Sequence, residues 1–324
     1  MKRVIGAFLV LALGACGGTA ARPPSAGARA VLEPQWQDAL DADPKLLLTL
    51  HPKVLLKDDV YGPLLRRALD LARQRSHAVA STRLVEAVEE SDEVIAGVLG
   101  EERPTPQPSA STTESEREVL PGQDPIVAVL RGMPAELDPA KLVDADGNLL
   151  WAPGPSGPVR ELVHEVDKGG SPNPASLFEL PGRTWVIVSG PARARVREAF
   201  TRPTGHAPPP IDAEALATLR IDGPALVARA RPLSAGGLAA IGRQLQSVAL
   251  VLLPGATREI QAVLQYTSAE ASAGAARKLT QVKQVLSMGN SPALAWMGSV
   301  AVEATQSAVV LKASVPPEIL NLLQ

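Results

Sequence analysis

Leu177-Phe178-Glu179-Leu180-Pro181-Gly182-Arg183-Thr184-Trp185-Val186-Ile187-Val188-Ser189 carries the plainest structural signal in the chain. Two apolar runs, the second rich in β-branched residues, flank Pro181-Gly182-Arg183. Glycine in so short a connection accepts the positive φ of a tight turn. The stretch predicts a β-hairpin, followed by a short helix over 192–200. A second stretch repeats the plan: Ser299-Val300-Ala301-Val302-Glu303, a turn near Thr305-Gln306, then Ala308-Val309-Val310-Leu311-Lys312-Ala313. Pro316-Pro317 then opens a predicted last helix with Ile319, Leu320 and Leu323 apolar; proline suits a helix start because its missing N–H has no helical partner there.

Outward from these hairpins the chain divides at a Pro-rich connector, residues 201–210, into a first half over 32–200 and a second over 211–324. Each half opens on a strand-like run, Lys45-Leu46-Leu47-Leu48-Thr49-Leu50 in one and Ala215-Leu216-Ala217-Thr218-Leu219-Arg220-Ile221 in the other. A helix is expected after each. In the first half it covers 60–75, with Leu64, Leu65, Ala68, Leu69 and Ala72 on one stripe and Asp59 as N-cap. In the second it covers 235–246, with Leu238, Ile241 and Leu245 inward and Ser234 as cap. Strands follow at 93–99 and 247–253, then at 126–131 and 259–266, the latter alternating Ile260, Ala262, Leu264 and Tyr266 on one side. Two further helices are read over 158–168, from Val159, Leu162, Val163 and Val166, and over 268–287, with Thr267 and Glu270 as a capping box. The expected fold is therefore α+β: two similar halves, each a mixed or mainly antiparallel sheet with helices packed on one face. Residues 101–122 hold almost no apolar side chains and are expected to form an exposed, disordered loop.

Lysine and arginine number 32 against 34 acidic residues. That balance excludes an electrostatic nucleic-acid binder, which needs a basic excess or stripe. A single cysteine, Cys16, excludes an intrachain disulfide and a Cys-based zinc site.

Cys16 sits in a telling place. Met1-Lys2-Arg3 is a basic head, and Val4 to Ala15 is an apolar run too short to span a bilayer and of the right length for a signal-peptide core. The run ends in Leu13-Gly14-Ala15-Cys16, which resembles the lipobox of bacterial lipoproteins. The resemblance covers residues 1–18. It implies thioether lipidation of Cys16, cleavage before it to remove residues 1–15, and acylation of the new amino terminus, with palmitate-like chains holding the protein in a membrane. Gly17 after the cysteine, where aspartate would suggest inner-membrane retention, implies sorting to the periplasmic face of an outer membrane if the cell has two membranes. Residues 16–31 then read as a flexible tether that holds the body about 20 Å from the bilayer.

Chemistry is harder to find. His51, His77, His164 and His206 fall in no metal-ligand spacing. His164 is expected on the polar side of its helix. Asp144-Ala145-Asp146-Gly147-Asn148 opens like a calcium loop, but Leu149 stands where glycine must turn the chain and Pro155 where the bidentate acid belongs; a tight turn at Asp146-Gly147 is expected instead. Gly154-Pro155-Ser156-Gly157-Pro158 is a broken nucleophile elbow, better read as Ser156 capping a helix. No cofactor is implied. Arg193, Arg195 and Arg197 are expected to form a solvated face, or a docking patch for anionic lipid or polysaccharide. Trp185 reads as core, and Trp151, beside a Pro/Gly-rich loop, as the best exposed candidate for a ligand groove. The expectation for function is a lipid-anchored, non-enzymatic module of the cell envelope, held at the membrane through Cys16, that binds an envelope protein, polymer or lipid. The alternatives are an envelope hydrolase, with Glu161, Glu165 and Asp167 among its possible acids, and a lipid carrier with a cavity between sheet and helices.

Overall fold

The structure, a computed structural model, describes residues 33–40, 44–59, 61–75, 79–99, 125–143, 149–164, 174–203, 215–230, 241–242, 244–254, 259–288, 296 and 298–314. The expected signal peptide and tether with Cys16, the expected loop over 101–122, most of residues 201–210, the expected turn at Asp146-Gly147, most of the expected helix 235–246 with Ser234, and the helix expected to open at Pro316-Pro317 fall on residues outside the described ones.

The chain is α+β. Its strands are β1 (Leu46–Leu50), β2 (Glu93–Val98), β3 (Ile126–Arg131), β4 (Ala152–Pro153), β5 (Arg160–His164), β6 (Ala175–Leu180), β7 (Thr184–Ser189), β8 (Ala217–Asp222), β9 (Leu245–Leu252), β10 (Glu259–Tyr266), β11 (Ala301–Ala304) and β12 (Ala308–Ser314). The helices are α1 (Pro52–Leu55), α2 (Tyr61–Arg75), α3 (Val79–Glu90), α4 (Arg193–Thr201), α5 (Gly223–Ala230) and α6 (Ala269–Ser287), with a 3-10 helix at Trp36–Ala39.

Among the described residues, twelve strands join one sheet in the order β11-β12-β10-β9-β8-β1-β2-β3-β7-β6-β5-β4, every neighbouring pair antiparallel. The ladders align one unbroken row of directly opposed residues across it. From edge to edge the row reads Val302, Leu311, Ala262, Leu250, Leu219, Leu48, Ala96, Ala128, Ile187, Leu177, Leu162 and Pro153. Every member is apolar. Directly opposed residues in an antiparallel sheet share a face, so this row belongs to one side.

That side, the helical face, carries α2, α3, α5 and α6. Ala87 of α3 packs with Val94, Leu130, Leu177 and Trp185; Leu64 and Leu65 of α2, like Leu50, Ala217, Leu252 and Ile260 of the sheet, pack against Leu55, Tyr61 and Leu216; and Ala275 of α6 packs with Leu264, Tyr266 and Val309. The other side is covered over β2, β3, β6 and β7 by α4 and the Trp36–Ala39 turn, where Ile95, Val127, Val129, Val186 and Val188 are all 0 % exposed. Phe178 and Phe200 meet there edge to face at 5.1 Å. Helices on one face only is therefore not the arrangement over β1–β7: α4 lies on the opposite side from α2 and α3.

Several local expectations are corrected. Residues 160–164 form β5, not a helix, and no helix occupies the described residues 157–164 after Ser156. Val159, Leu162, Val163 and Val166 satisfied helical spacing, but a short apolar run also suits a strand buried on both sides, and β5 buries Glu161 on one face and Leu162 on the other. The cap of α2 is Asp58, whose carboxylate accepts from Tyr61 N at 2.8 Å, rather than Asp59. Ser268 caps α6, accepting from Ala271 N at 3.2 Å, while Thr267 N donates to Gln244 O. Leu245 opens β9 instead of ending a helix. Helix α3 had no counterpart in the sequence reading. The hairpin β6–β7, the strands β3 and β10 and the helix α4 fall where expected.

Two turns require glycine for different reasons. Gly182, φ 73°, and Arg183, φ 56°, close the β6–β7 hairpin, and nothing lies within 4 Å of where a Cβ on Gly182 would sit. Gly132, φ 68°, follows β3, and a Cβ there would run into the Asp92 side chain, which Lys53 holds at 2.8 Å. Gly182→Ala should therefore cost about 1 kcal/mol, the backbone term alone. Gly132→Ala adds a steric clash to the same term and should cost roughly 2–3 kcal/mol. Urea denaturation of both variants checks the order.

Candidate functional site

Arg193 and Arg197 stand one turn apart on α4, and with Val196 and Phe200 they form its inner side. Beneath them the sheet offers Glu161 of β5 and Ser176 of β6, both on the α4 side. Glu161 is 4 % exposed and Ser176 0 %. Arg197 grips the carboxylate with two parallel bonds, Nε to Oε2 at 2.8 Å and Nη2 to Oε1 at 2.7 Å. Ser176 Oγ donates to Oε1 at 2.6 Å, and Arg193 Nε donates to Ser176 Oγ at 2.8 Å. The fork of a guanidinium matches the two carboxylate oxygens, so this contact fixes orientation as well as charge. Arg195 is half-buried. Arg193 and Arg197 are thus not members of a solvated patch; they hold α4 to the sheet.

Burial alone would push the Glu161 carboxyl up, but the hydrogen bonds from Arg197 and Ser176 and the charges of Arg197 and Arg193 outweigh it and hold it below the usual carboxylate range. A general acid for hydrolysis at neutral pH needs the opposite shift. Glu165 and Asp167 lie outside the described residues.

On the helical face, Trp151 is a correction. It is 3 % exposed and packs with Met133, Leu162, Leu177 and Trp185, so it is core rather than groove. Its ring meets His164 edge-on at 5.8 Å, and His164 Nδ1 donates to Leu150 O at 2.7 Å. His164 therefore belongs to a strand and a backbone contact, not to a polar helix side. Trp185 is core as expected, 4 % exposed. Trp36 lies under the Arg131 guanidinium at 5.4 Å, and Trp296 Nε1 donates to Ser314 O at 2.7 Å.

A cleft of about 540 Å³ opens beside this core, lined in part by Asp138, Lys141, Arg160, Glu179, Arg183 and Trp185. Two ion pairs lie in its lining, beside Glu136 and Arg183. Arg160 Nη1 lies 2.7 Å from Glu179 Oε2, and Lys141 Nζ lies 3.2 Å from Asp138 Oδ2. Asp138 also caps the turn Pro139–Lys141, accepting from Ala140 N. The Lys141 hydrogen bond and then the Ala140 N–H hold the Asp138 carboxyl low. Alternation along β5 sends Arg160 into this cleft and Glu161 under α4. The cleft was not anticipated: its lining residues come from the separate stretches 133–141, Arg160 and 179–185, and the loop after β3 showed no motif.

The chain matches no protein-family model, no curated protein and no solved structure.

Removing one partner of a buried ion pair costs roughly 3–5 kcal/mol when both charges are fully buried. Arg197 is 38 % exposed, so Arg197→Ala should cost less, about 2 kcal/mol by urea titration. Glu161 titrates lower in the folded chain than in the unfolded one, where the ordinary value is about 4.3. Its contribution is therefore complete above that range and is lost as pH falls through the folded value. The urea midpoint of the native chain should drop more steeply on acidification below about pH 5 than that of Glu161→Gln. Parallel curves for the two proteins would refute the assignment.

Proposed function

We propose that this chain is a lipoprotein of the bacterial cell envelope, anchored through lipidated Cys16, whose body is a non-enzymatic binding module built from two similar halves. The observation that carries the anchor is the ordered series of basic head, apolar core and Leu13-Gly14-Ala15-Cys16, with Cys16 the sole cysteine of the chain. Two or more acyl chains, each contributing about 0.8 kcal/mol per buried methylene, make such an anchor stable.

Ladder registers support the two halves. Leu48 opposes Leu219 where β1 meets β8. Setting one on the other and following the ladders outward places Ala96 on Leu250, Ala128 on Ala262, Ile187 on Leu311 and Leu177 on Val302. Strand order agrees: β1-β2-β3-β7-β6 on one side of the junction and β8-β9-β10-β12-β11 on the other. The same register lays Ile126-Val127-Ala128-Val129-Leu130-Arg131 on Ile260-Gln261-Ala262-Val263-Leu264-Gln265, with Ile, Ala, Val and Leu shared. On this reading β4 and β5 are an addition to the first half.

A binding role is favoured over hydrolysis because the buried carboxylate that sequence reading offered as an acid is clamped in its ionised form by Arg197. The charged lining of the cleft favours a polar envelope partner over an acyl chain. The native protein should carry a diacylglyceryl thioether at Cys16, read by mass spectrometry, and Cys16→Ala should move it from the membrane to the soluble fraction. An unmodified thiol on the mature chain would overturn the anchor. Envelope partners captured by the lipidated protein should be lost with Arg160→Glu if the cleft is where they dock.

A further inference from the structure

The cleft beside Trp185 is lined by three cations, Lys141, Arg160 and Arg183, and three carboxylates, Glu136, Asp138 and Glu179. All six belong to the described residues, and their charges sum to zero. At about 540 Å³ the space falls within the size of small-molecule sites, about 300–1,000 Å³. Its floor, Met133, Leu180 and Trp185, is closed to between 1 % and 8 % exposure, so little apolar area is left for an acyl chain.

The six charged groups are satisfied to different degrees. Asp138 is complete: Oδ1 accepts from Ala140 N at 3.0 Å, and Oδ2 meets Lys141 Nζ at 3.2 Å. Glu179 Oε2 is not. It is enclosed, and Arg160 Nη1 stands 2.7 Å away, yet no donor reaches it in hydrogen-bond geometry. The Lys141 and Arg160 side chains are more than half exposed and have further N–H groups to offer, since an ammonium carries three and a guanidinium five. Among the described residues, the Glu136 and Arg183 side chains have no hydrogen bond and no ion pair. Arg183 is nonetheless held at the rim. It turns the β6–β7 hairpin with a φ of 56°, and its carbonyl accepts from Met133 N at 3.1 Å, which ties that turn to the loop bearing Glu136 and Asp138.

Spare donors and spare acceptors therefore share one neutral rim. An anion set against Arg160 or Lys141 would lie beside Glu179 or Asp138, and a cation set against Glu179 would lie beside Arg160. Like charges in contact repel, so an ionic ligand gains little here. A hydroxyl escapes the conflict. It donates one hydrogen bond and accepts two on a single oxygen, so it can bridge a carboxylate and a guanidinium at once.

We propose that the cleft binds a neutral, hydroxyl-rich carbohydrate, whose hydroxyls donate to Glu179 Oε2 and Glu136 and accept from Arg183, Arg160 and Lys141. This ligand class rests on the docking role given to the cleft above and names what docks there.

An array of immobilised neutral and acidic oligosaccharides, probed with the full chain carrying Cys16→Ser, tests it. Neutral oligosaccharides should be held, and retention should persist when salt rises from about 0.05 to about 0.5 M, because no ionic attraction is involved. Arg183→Asn keeps a side chain that tolerates positive φ and removes the guanidinium; it should weaken retention about tenfold. Arg202→Ala, at a side chain 80 % exposed on α4 across the sheet from the cleft, should leave retention unchanged. Failure to hold any neutral oligosaccharide, retention confined to acidic ones and abolished by salt, or equal loss in both variants overturns the proposal. So does competition by glycylglycine, which would assign the cleft to a zwitterion. If no glycan is held while Arg160→Glu still loses the captured envelope partners, the ligand class alone falls. If Arg160→Glu captures those partners unchanged, the docking role of the cleft falls with it.

Discussion

The structure turns on five rungs between β1 and β8, where Leu46–Leu50 runs antiparallel to Ala217–Ile221. An unpaired strand edge leaves backbone donors and acceptors in need of partners, and β1 and β8 satisfy one another. Their register is forced. Leu46, Leu48 and Leu50 share a face with Ile221, Leu219 and Ala217, and a slip of one residue would turn all of them to the side where Arg220 and Thr218 lie. From that fixed point every other ladder follows, which is why the apolar row through Leu48 and Leu219 continues unbroken to both edges.

The two edges are defended unequally. At β4 the strand is two residues long and ends in Pro153, with Pro155 and Pro158 close behind. Proline removes a donor, so little template remains for another strand. At β11 there is no proline, and Glu303, paired with Lys312 at 3.0 Å, is the charge on the strand. A single exposed charge is a weaker deterrent than a backbone that lacks its N–H.

Much of this was legible where one side of a strand is covered differently from the other. Ile260, Ala262, Leu264 and Tyr266 alternate because, among the described residues, the helices lie on their side and not on that of Gln261 and Gln265, and the expected strand 259–266 matches β10 at both ends. β5 was misread because it is interior on both faces, which erases alternation. The Glu161–Arg197 pair was invisible for another reason: 36 positions separate the partners, and only the β5–β6 register and the α4 crossing bring them together. Arg193 and Arg197 looked like surface charge because a guanidinium bonded to the sheet has the same spacing on a helix as one facing only solvent. Trp151 was placed by its Pro/Gly-rich neighbourhood, a signal of local backbone, while its burial comes from Leu162, Leu177 and Trp185 far along the chain. Asp58 and Ser268 each displaced the expected cap by a single position, a difference set by where the first helical turn actually closes.

The place of β1 in the strand order has a mechanical consequence. It is sixth of twelve and bonded on both flanks, to β2 and to β8. A pull on the chain from its amino-terminal side, once it has freed the Trp36–Ala39 turn, meets the middle of the sheet instead of a margin. Two rows of backbone bonds then bear the load together and in shear, so the strand cannot be unzipped rung by rung.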